Sequence, residues 1–299
     1  MLTLQEIQEK LSGVGYCPDD EISYAVLIAL ATGRPLLVEG APGVGKTSLA
    51  KAVADAFGMP LIRLQMYDGL TDDKVLYDYD YQKQLLTLEA IRPALEKEYG
   101  DMPLQDAVRH ASGLVDFYGK DFLISRPVLK SIDGTGRKVL LIDEIDKAPE
   151  EIEYMLYEFL EGYSITIPQY GVVRCPEDQR PAVFVTSNCY RELSGAFKRR
   201  CNYLYIAEKT KQEMAAILMA RAGTDQALAE KIAACLTDPG MKGLKHAPSI
   251  AEGIEWGSFL GKCPVLNKKL VMGTLGFLAK DAKDLKAVKG VVEKSGIWK

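Results

Sequence analysis

The sequence predicts an α/β fold in which a parallel sheet lies between helices and is followed by a smaller, all-helical domain. Three observations predict it. Short, fully apolar runs recur between helical patterns, as is typical of parallel strands buried on both faces. A glycine-rich loop follows the first of these runs and opens a helix. Strand signals end at Ile206, and only helical patterns follow.

Composition and charge exclude several classes of protein. Of the 299 residues, 47% are hydrophobic and 26% are charged, which is typical of a folded globular protein. The longest apolar run, 24–31, is far shorter than the roughly 20 residues that cross a bilayer. The N-terminal residues do not have the pattern of a secretory signal. We therefore expect a cytoplasmic protein with no membrane partner.

The net charge of −4 disfavours nucleic acid as a partner, because nucleic-acid-binding proteins usually carry a basic face. The one dense basic cluster is 198–200. The six cysteines include no pair separated by two residues, so the spacings of zinc ribbons and redox motifs do not occur. The two histidines, His110 and His246, lie far apart and fit no metal or catalytic pattern.

The glycine-rich loop fits the phosphate-binding motif G-x-x-x-x-G-K-[ST] and stands between a strand pattern and a helix pattern. Its glycines let backbone N–H groups point at phosphate oxygens. In such loops the ammonium of Lys46 contacts the β- and γ-phosphates, and the hydroxyl of Thr47 ligates Mg²⁺. The predicted binding residues are Gly40, Ala41, Pro42, Gly43, Val44, Gly45, Lys46, Thr47 and Ser48. The sequence therefore predicts a P-loop NTPase fold, an αβα sandwich that binds ATP with Mg²⁺.

A second apolar run, 139–142, ends in two carboxylates. Asp143 fits a ligand of the Mg²⁺ shell, and Glu144 fits the group that accepts a proton from the attacking water or orients that water. By itself this pattern also fits an ordinary strand end. After a P-loop it is typical of a Walker B motif, and the second carboxylate favours hydrolysis over nucleotide binding alone.

Two later segments complete the predicted site. Asn188 ends a third apolar strand pattern, where it would contact the attacking water, or else simply begins a turn. Arg199 and Arg200 precede a strand pattern at 203–206. An arginine delivered from one subunit to the next stabilises charge in the transition state. A solvated basic loop is the alternative for this pair.

The order of these motifs resembles that of the AAA+ ATPases. Four segments are similar in sequence to segments of the MoxR-type ATPases of the CoxD kind: LLVEGAPGVGKTSLAKAVADAF, LIRLQMYDGLTDDKVLYDYDYQKQLL, VLLIDEIDKA and ELSGAFKRRCNYLYI. The resemblance is strong over roughly residues 18–207. It implies an AAA+ nucleotide-binding domain over residues 1–207 and a small helical lid domain over residues 208–299.

The resemblance also implies a function and an assembly. Such proteins form rings, usually hexameric, that hydrolyse ATP at subunit junctions. They act as chaperones that mature partner enzymes or insert metal into them, often with a von Willebrand factor A-domain protein. The CoxD-like wording suggests a molybdenum hydroxylase-type enzyme as the client. By motif match Asn188 would be sensor 1, and Arg200, or as second choice Arg199, the arginine finger.

The lid departs from the family pattern at one position. Family members commonly carry Ser-Pro-Arg there, with the arginine serving as sensor 2. The matching stretch here places Ser249 where the arginine belongs, and serine supplies no charge. Either another residue serves, Lys245 being the nearest in sequence, or lid closure is less tightly coupled to the nucleotide.

The interval between the P-loop and the Walker B motif is long enough to hold an insertion around residues 66–100. Within it Tyr77, Tyr79 and Tyr81 alternate with aspartates, as in a strand with one aromatic face. The resemblance implies a hairpin that faces the centre of the ring. The tyrosines would then grip a client protein or, alternatively, pack on their own domain.

Three local predictions concern other elements. The turn at 13–16 would pass near the adenine base, as similar turns do in AAA+ proteins. A helix over 149–162 carries an apolar stripe that we expect to be core or subunit contact. Residues 164–168 and 172–174 alternate at period two around a turn, which predicts a hairpin.

Two other functions remain as alternatives. A DNA-directed AAA+ motor would require a basic pore and further DNA-binding elements. A P-loop kinase for a small molecule would be a smaller chain without the helical lid, and it would carry a base near the phosphate acceptor.

Overall fold

Five parallel strands form the central sheet in a computed structural model that describes residues 2–99, 103, 105–106 and 115–298. In chain order the strands are β1 (Leu36–Gly40), β2 (Leu61–Gln65), β3 (Tyr77–Tyr79), β4 (Leu123–Ser125), β5 (Val139–Asp143), β6 (Ser164–Ile167), β7 (Gly171–Arg174), β8 (Ala182–Ser187) and β9 (Asn202–Ile206). The central sheet has the order β2–β5–β8–β1–β9. The strands predicted before the glycine-rich loop, at 139–142, before Asn188 and at 203–206 are confirmed as β1, β5, β8 and β9, and so is the predicted α/β fold.

Helices cover both faces of this sheet. In chain order the described helices are α1 (Leu4–Gly13), α2 (Asp20–Thr32), α3 (Lys46–Phe57), α4 (Asp72–Val75), α5 (Tyr81–Tyr99), α6 (Pro127–Ile132), α7 (Glu150–Gly162), α8 (Gly195–Arg199), α9 (Lys211–Ala222), α10 (Gln226–Leu236), α11 (Pro239–Lys242), α12 (Ile250–Gly261), α13 (Lys268–Gly273) and α14 (Ala282–Ser295). Side chains of β1 point alternately to two hydrophobic clusters, Leu36 and Val38 to one and Leu37 to the other. This burial on both faces explains why residues 36–38 of β1 are all apolar.

The N-terminal helices begin and end at the residues that the sequence indicates. The side chain of Asp19 accepts a hydrogen bond from the backbone N–H of Ile22 and so caps α2. Gly33 ends that helix with φ 68°, a left-handed conformation that glycine adopts without strain. Helix α1 packs on both α2 and α3, which brings the turn between α1 and α2 close to the P-loop.

The insertion is not a hairpin within residues 66–100, and this prediction is wrong. Strand β3 pairs antiparallel with β4, far along the chain, and α5 begins directly after β3. The aspartate before α5 explains the early end of the strand. The side chain of Asp80 accepts from the backbone N–H of Lys83 and its carbonyl from that of Gln84, so the chain turns helical at Tyr81.

The three tyrosines therefore do not share one strand face. Tyr79 is buried, and its hydroxyl donates to the carbonyl of Pro168 at 3.0 Å. Tyr77 packs edge-on against Tyr79, with ring centroids 6.3 Å apart. Only Tyr81, on α5, is largely exposed at 64%. Packing on the chain's own core is thus the observed role of Tyr77 and Tyr79.

The predictions for residues 149–174 are confirmed. The apolar stripe of α7 belongs to the same hydrophobic cluster as Leu37, on one face of the sheet, with Leu156 and Phe159 almost fully buried. Strands β6 and β7 form the expected antiparallel hairpin, in which Ile165 is opposite Val173.

Among the described residues after β9, all regular elements are helices, as predicted, and they enclose a third hydrophobic cluster around Trp256. Helix α9 begins with a capping box formed by Thr210 and Glu213, and α12 begins with one formed by Ser249 and Glu252. Among the described residues, none of the helices combines the length and hydrophobicity of a membrane span.

Candidate nucleotide-binding site

The glycine-rich loop connects β1 to α3 at the carboxyl end of the sheet. Gly40 requires glycine because a Cβ there would lie 2.4 Å from the carbonyl oxygen of Ile206. Gly43 and Gly45 have φ values of 81° and 105°, which favour glycine. These three glycines therefore allow the backbone to follow the tight turn that a phosphate-binding loop requires.

Lys46 is buried at the start of α3. Its ammonium donates to the carbonyl oxygens of Gly40 at 2.7 Å and Ala41 at 2.8 Å, across the inside of the loop. Burial lowers the pKa of Lys46, and the charge of Asp146 and other acidic groups opposes this shift. A lysine held by two neutral carbonyls keeps its charge available for a stronger, anionic acceptor.

Thr47 and Asp143 meet across the gap between α3 and β5. The hydroxyl of Thr47 donates to Oδ1 of Asp143 at 2.8 Å, and the hydroxyl of Thr186 donates to the same oxygen at 2.6 Å. A hydroxyl and a carboxylate this close are oxygen ligands of the kind that Mg²⁺ binds together with phosphates and waters. The residues present therefore fit a magnesium ion.

The other carboxylate oxygen of Asp143 contacts an arginine that the sequence motifs did not indicate. Arg63 on β2 donates to Oδ2 of Asp143 from Nε at 3.1 Å and from Nη2 at 2.6 Å. The guanidinium lies beside Asp143 because β2 and β5 are neighbours in the sheet. Only the strand order reveals this pair.

Glu144 is held by three donors in the described structure. Its Oε2 accepts from the amide of Gln65 at 2.9 Å and from the ammonium of Lys147 at 2.8 Å. Its Oε1 accepts from the amide Nδ2 of Asn188 at 3.2 Å. Three donors on one carboxylate hold its side chain in a fixed direction, with Glu144 itself in a left-handed conformation at φ 59°.

The structure therefore brings four of the predicted residues together at one edge of the sheet: Lys46, Thr47, Asp143 and Glu144, with Asn188 next to the last of them. Asn188 follows the end of β8, which lies between β5 and β1. This arrangement places its amide beside Glu144 instead of in a free turn.

Arg199 and Arg200 lie at the opposite end of the sheet, where the strands begin. They directly precede β9, whose first residue, Asn202, pairs with Leu36 at the start of β1, whereas the P-loop follows the end of β1. The guanidinium of Arg200 stacks 4.3 Å from the ring centre of Tyr157 and donates to Glu161 at 3.1 Å. Neither arginine can contact a phosphate bound in the loop of its own chain.

Two cavities lie between the P-loop and the C-terminal helices. One, of about 190 Å³, is lined by loop residues, by Lys209 in the connection to α9, and by Ile250. The other, of about 360 Å³, is lined by Gly43, Ser249 and Lys280. The ammonium of Lys245 pairs with Asp281 at 3.5 Å. Lys209 and Lys242, which line the first cavity, pair with acidic side chains, and Lys280 lines the second cavity together with Ser249.

The turn at 13–16 lies next to the loop. Tyr16 is buried, and its hydroxyl is 3.9 Å from the position that a Cβ at Gly45 would occupy. Burial and the nearby Asp19 raise the pKa of Tyr16, so its hydroxyl stays neutral and available as a donor.

Gly43→Ala tests the contact between the loop and the C-terminal helices. The new Cβ would lie 2.3 Å from the Cβ of Ser249, so the two segments must move apart. We expect Gly43→Ala to weaken binding of a fluorescent ATP analogue at least about tenfold, or about 1.4 kcal/mol.

Gly136→Ala is the matched control. Gly136 has a similar φ of 86°, and its Cβ would meet nothing within 4 Å. It shares the backbone strain of about 1–2 kcal/mol without the clash. Equal analogue affinity in the two variants would show that the loop does not need this packing.

Comparison with known proteins agrees with this geometry. Residues 35–201 match the family described as AAA domain (dynein-related subfamily). The chain belongs to this family. The resemblance to AAA+ ATPases is thereby confirmed, and an AAA domain carries nucleotide binding and ATPase activity as its general property.

Solved structures similar to this AAA protein include RuvB from Thermotoga maritima. A RuvB mutant matches with 17% identity and a TM-score of 0.48, covering 95% of this chain and 73% of that one. Another structure, described as the RuvB Holliday junction branch migration motor, matches with 18% identity and a TM-score of 0.44, covering 93% and 71%. No curated protein sequence matches the chain.

Proposed function

We propose that this AAA protein hydrolyses ATP to ADP and phosphate in a Mg²⁺-dependent reaction and uses the energy to remodel a partner protein. The observation that carries the proposal is the convergence of Lys46, Thr47, Asp143 and Glu144 at one sheet edge. These are the residue types that phosphoryl transfer to water needs: a cation for the phosphates, oxygen ligands for a metal and a carboxylate base.

Binding of the triphosphate rests on the loop and Lys46. Backbone N–H groups of Gly43, Val44 and Gly45 are the proposed donors to phosphate oxygens, with the N-terminus of α3 behind them. Lys46 would exchange its two carbonyl acceptors for charged phosphate oxygens. That exchange favours binding because a negatively charged acceptor adds Coulomb attraction to hydrogen bonds that the ammonium already makes as a charged donor.

Hydrolysis rests on Glu144 and Asn188. Glu144 would accept the proton of the attacking water, and Asn188 would orient Glu144 or the water. Because Gln65 and Lys147 also hold Glu144, the carboxylate must leave at least one donor before it faces the water. Bound Mg²⁺ would neutralise negative charge on the phosphates, with Thr47 and Asp143 holding it.

The C-terminal helices are the proposed lid domain. We assign residues 1–207 to the nucleotide-binding domain and residues 208–299 to the lid. A hydrophobic cluster around Trp256, separate from the two clusters of the sheet, supports this division. The packing of Ser249 on Gly43 would couple lid position to the loop, and Lys280 is the proposed source of the charge that Ser249 lacks.

Catalysis across a subunit junction is proposed because Arg200 lies far from the loop of its own chain. In a ring, usually hexameric in this family, Arg200 of one subunit would reach the γ-phosphate bound by the next. It must first leave Glu161 and Tyr157. Arg199, whose side chain is exposed, is the second choice.

Mixing two inactive variants tests this proposal. Lys46→Ala subunits lack the phosphate cation, and Arg200→Ala subunits lack the arginine, so each alone should hydrolyse ATP slowly. Mixed rings contain junctions with an intact loop and an intact arginine, and should regain a measurable part of the turnover. Absence of any regained turnover, with both variants assembling normally in analytical ultracentrifugation, would contradict catalysis across the junction.

We also propose that the client is a metalloenzyme. The sequence similarity to MoxR-type ATPases supports a cytoplasmic chaperone that acts on a metalloenzyme, for instance one of the molybdenum hydroxylase type. The same similarity supports a von Willebrand factor A-domain protein as a partner. Such a client should be retained by Glu144→Gln in ATP and released in ADP, whereas Lys46→Ala should retain it in neither. ATP turnover stimulated by DNA, and lost with added salt, would instead support the DNA-motor alternative.

A further inference from the structure

We propose that Asp146 is a positioning residue that fixes the 188–190 loop and, through Asn188, sets the direction of Glu144. The inference rests on the proposed roles of Glu144 and Asn188 in hydrolysis. Asp146 belongs to neither the P-loop nor the pair of Walker B carboxylates, and the sequence patterns assign it no role.

The contacts form a continuous chain from Asp146 to Glu144. Oδ2 of Asp146 accepts two backbone hydrogen bonds, from the N–H of Asn188 at 3.0 Å and from the N–H of Tyr190 at 2.9 Å. The amide of Asn188 then donates to Oε1 of Glu144 at 3.2 Å. One oxygen of Asp146 therefore holds both ends of the 188–190 loop. The side chain of Asn188, in this loop, contacts the proposed base, Glu144.

Within residues 188–190, the other restraints that the structure describes are local or weak. The side chain of Tyr190 is 67% exposed, so packing on the core restrains it weakly. Cys189, between Asn188 and Tyr190, is exposed and has a left-handed φ of 61°, a conformation that cysteine rarely adopts without restraint. Its N–H donates to Ser187, directly before Asn188, at 3.0 Å. Asp146 thus anchors the backbone of residues 188–190 to a different part of the chain, and Arg191, just after the loop, adds a separate anchor at Ala148.

Asp146 is itself a buried residue near the phosphate site. It is only 5% exposed, in the turn 145–147 that follows β5. Within the part of the chain that the structure describes, its Oδ1 is buried and accepts no hydrogen bond. Among the groups that raise the pKa of Lys46 against the effect of burial, Asp146 has the largest influence. Its carboxylate therefore also contributes to the electrostatic environment of the phosphate site.

A double-mutant cycle tests the proposed route through Asn188. Asp146→Ala should lower kcat for ATP at least about tenfold and change KM less than about threefold, because the loop residues that bind phosphate are untouched. In an Asn188→Ala background the same change should cost less than about threefold in kcat. Asp146→Asn should keep kcat within about threefold of the parent chain, because its oxygen still accepts both N–H groups.

Glu153→Gln is the matched control for a structural role. Glu153 is also fully buried and accepts from the N–H of Ser194 and from the guanidinium of Arg191, but in the described part of the chain it makes no hydrogen bond to Asn188. Its effect should be the same with Asn188 or Ala at position 188. If Asp146→Ala melts at the assay temperature, Asp146→Leu, which has similar volume and no acceptor, replaces it in the cycle.

The outcomes separate this inference from the proposed function. Additive losses for Asp146→Ala and Asn188→Ala, or a tenfold loss in Asp146→Asn, would overturn the positioning role. Full activity of Glu144→Gln in the same assay would overturn the proposed hydrolysis itself. Strong coupling with Asn188, together with near-normal turnover of Asp146→Asn, is the expected result.

Discussion

Glu144→Gln should abolish ATP turnover while ATP binding is retained. Glutamine keeps the size of the side chain but cannot accept the proton of the attacking water, and a positioned base contributes roughly 10²–10⁴-fold to such reactions. We expect kcat to fall at least about 100-fold. Phosphate release measured at saturating ATP, with analogue binding measured in parallel, checks both halves of the prediction.

Glu177→Gln is a suitable control for this substitution, because Glu177 is an exposed residue in an ion pair with Arg180, away from the loop. Its turnover should match that of the parent chain. If Glu144→Gln releases phosphate as fast as Glu177→Gln, the assignment of the base is wrong.

Lys46→Ala should remove most of the affinity for ATP. The variant loses the buried ammonium that faces the loop interior, and hydrogen bonds to charged groups contribute about 1.5–3 kcal/mol each. We expect the dissociation constant of an ATP analogue to rise at least about tenfold, and turnover at fixed ATP to fall further. Titration of the fluorescent analogue measures the first effect directly.

The control for Lys46→Ala is provided by the same helix. Lys51 lies about 1.4 turns further along α3 and is exposed, so Lys51→Ala removes one positive charge without reaching the loop. Analogue affinity should be unchanged in that variant. Equal losses in both variants would point to a general charge effect instead of a phosphate contact.

The elements that the sequence predicts well are those whose signals are local. Residues 36–38 and 139–142 are all apolar because both faces of their strands are buried, and the glycines between β1 and α3 mark a backbone path that other residues cannot follow. Helix starts such as Asp19 are likewise decided by a side chain and the backbone a few residues away.

The residues that sequence patterns missed depend on strand order. Arg63 contacts Asp143 and Gln65 contacts Glu144 only because β2 lies beside β5. The insertion was mispredicted for the same reason. The partner of β3 is a three-residue strand far along the chain, and its pairing leaves no local pattern, while the capping residue Asp80 ends the strand earlier than the tyrosine alternation suggests.

A structure of the chain with Mg²⁺ and a nonhydrolysable ATP analogue tests the central claim most directly. We expect the phosphates to lie against the backbone N–H groups of the 40–47 loop, with Lys46 turned from the carbonyls of Gly40 and Ala41 to a phosphate oxygen. The metal should lie between Thr47 and Asp143. An analogue bound elsewhere at saturating concentration, with Lys46 still on those carbonyls, would contradict the account.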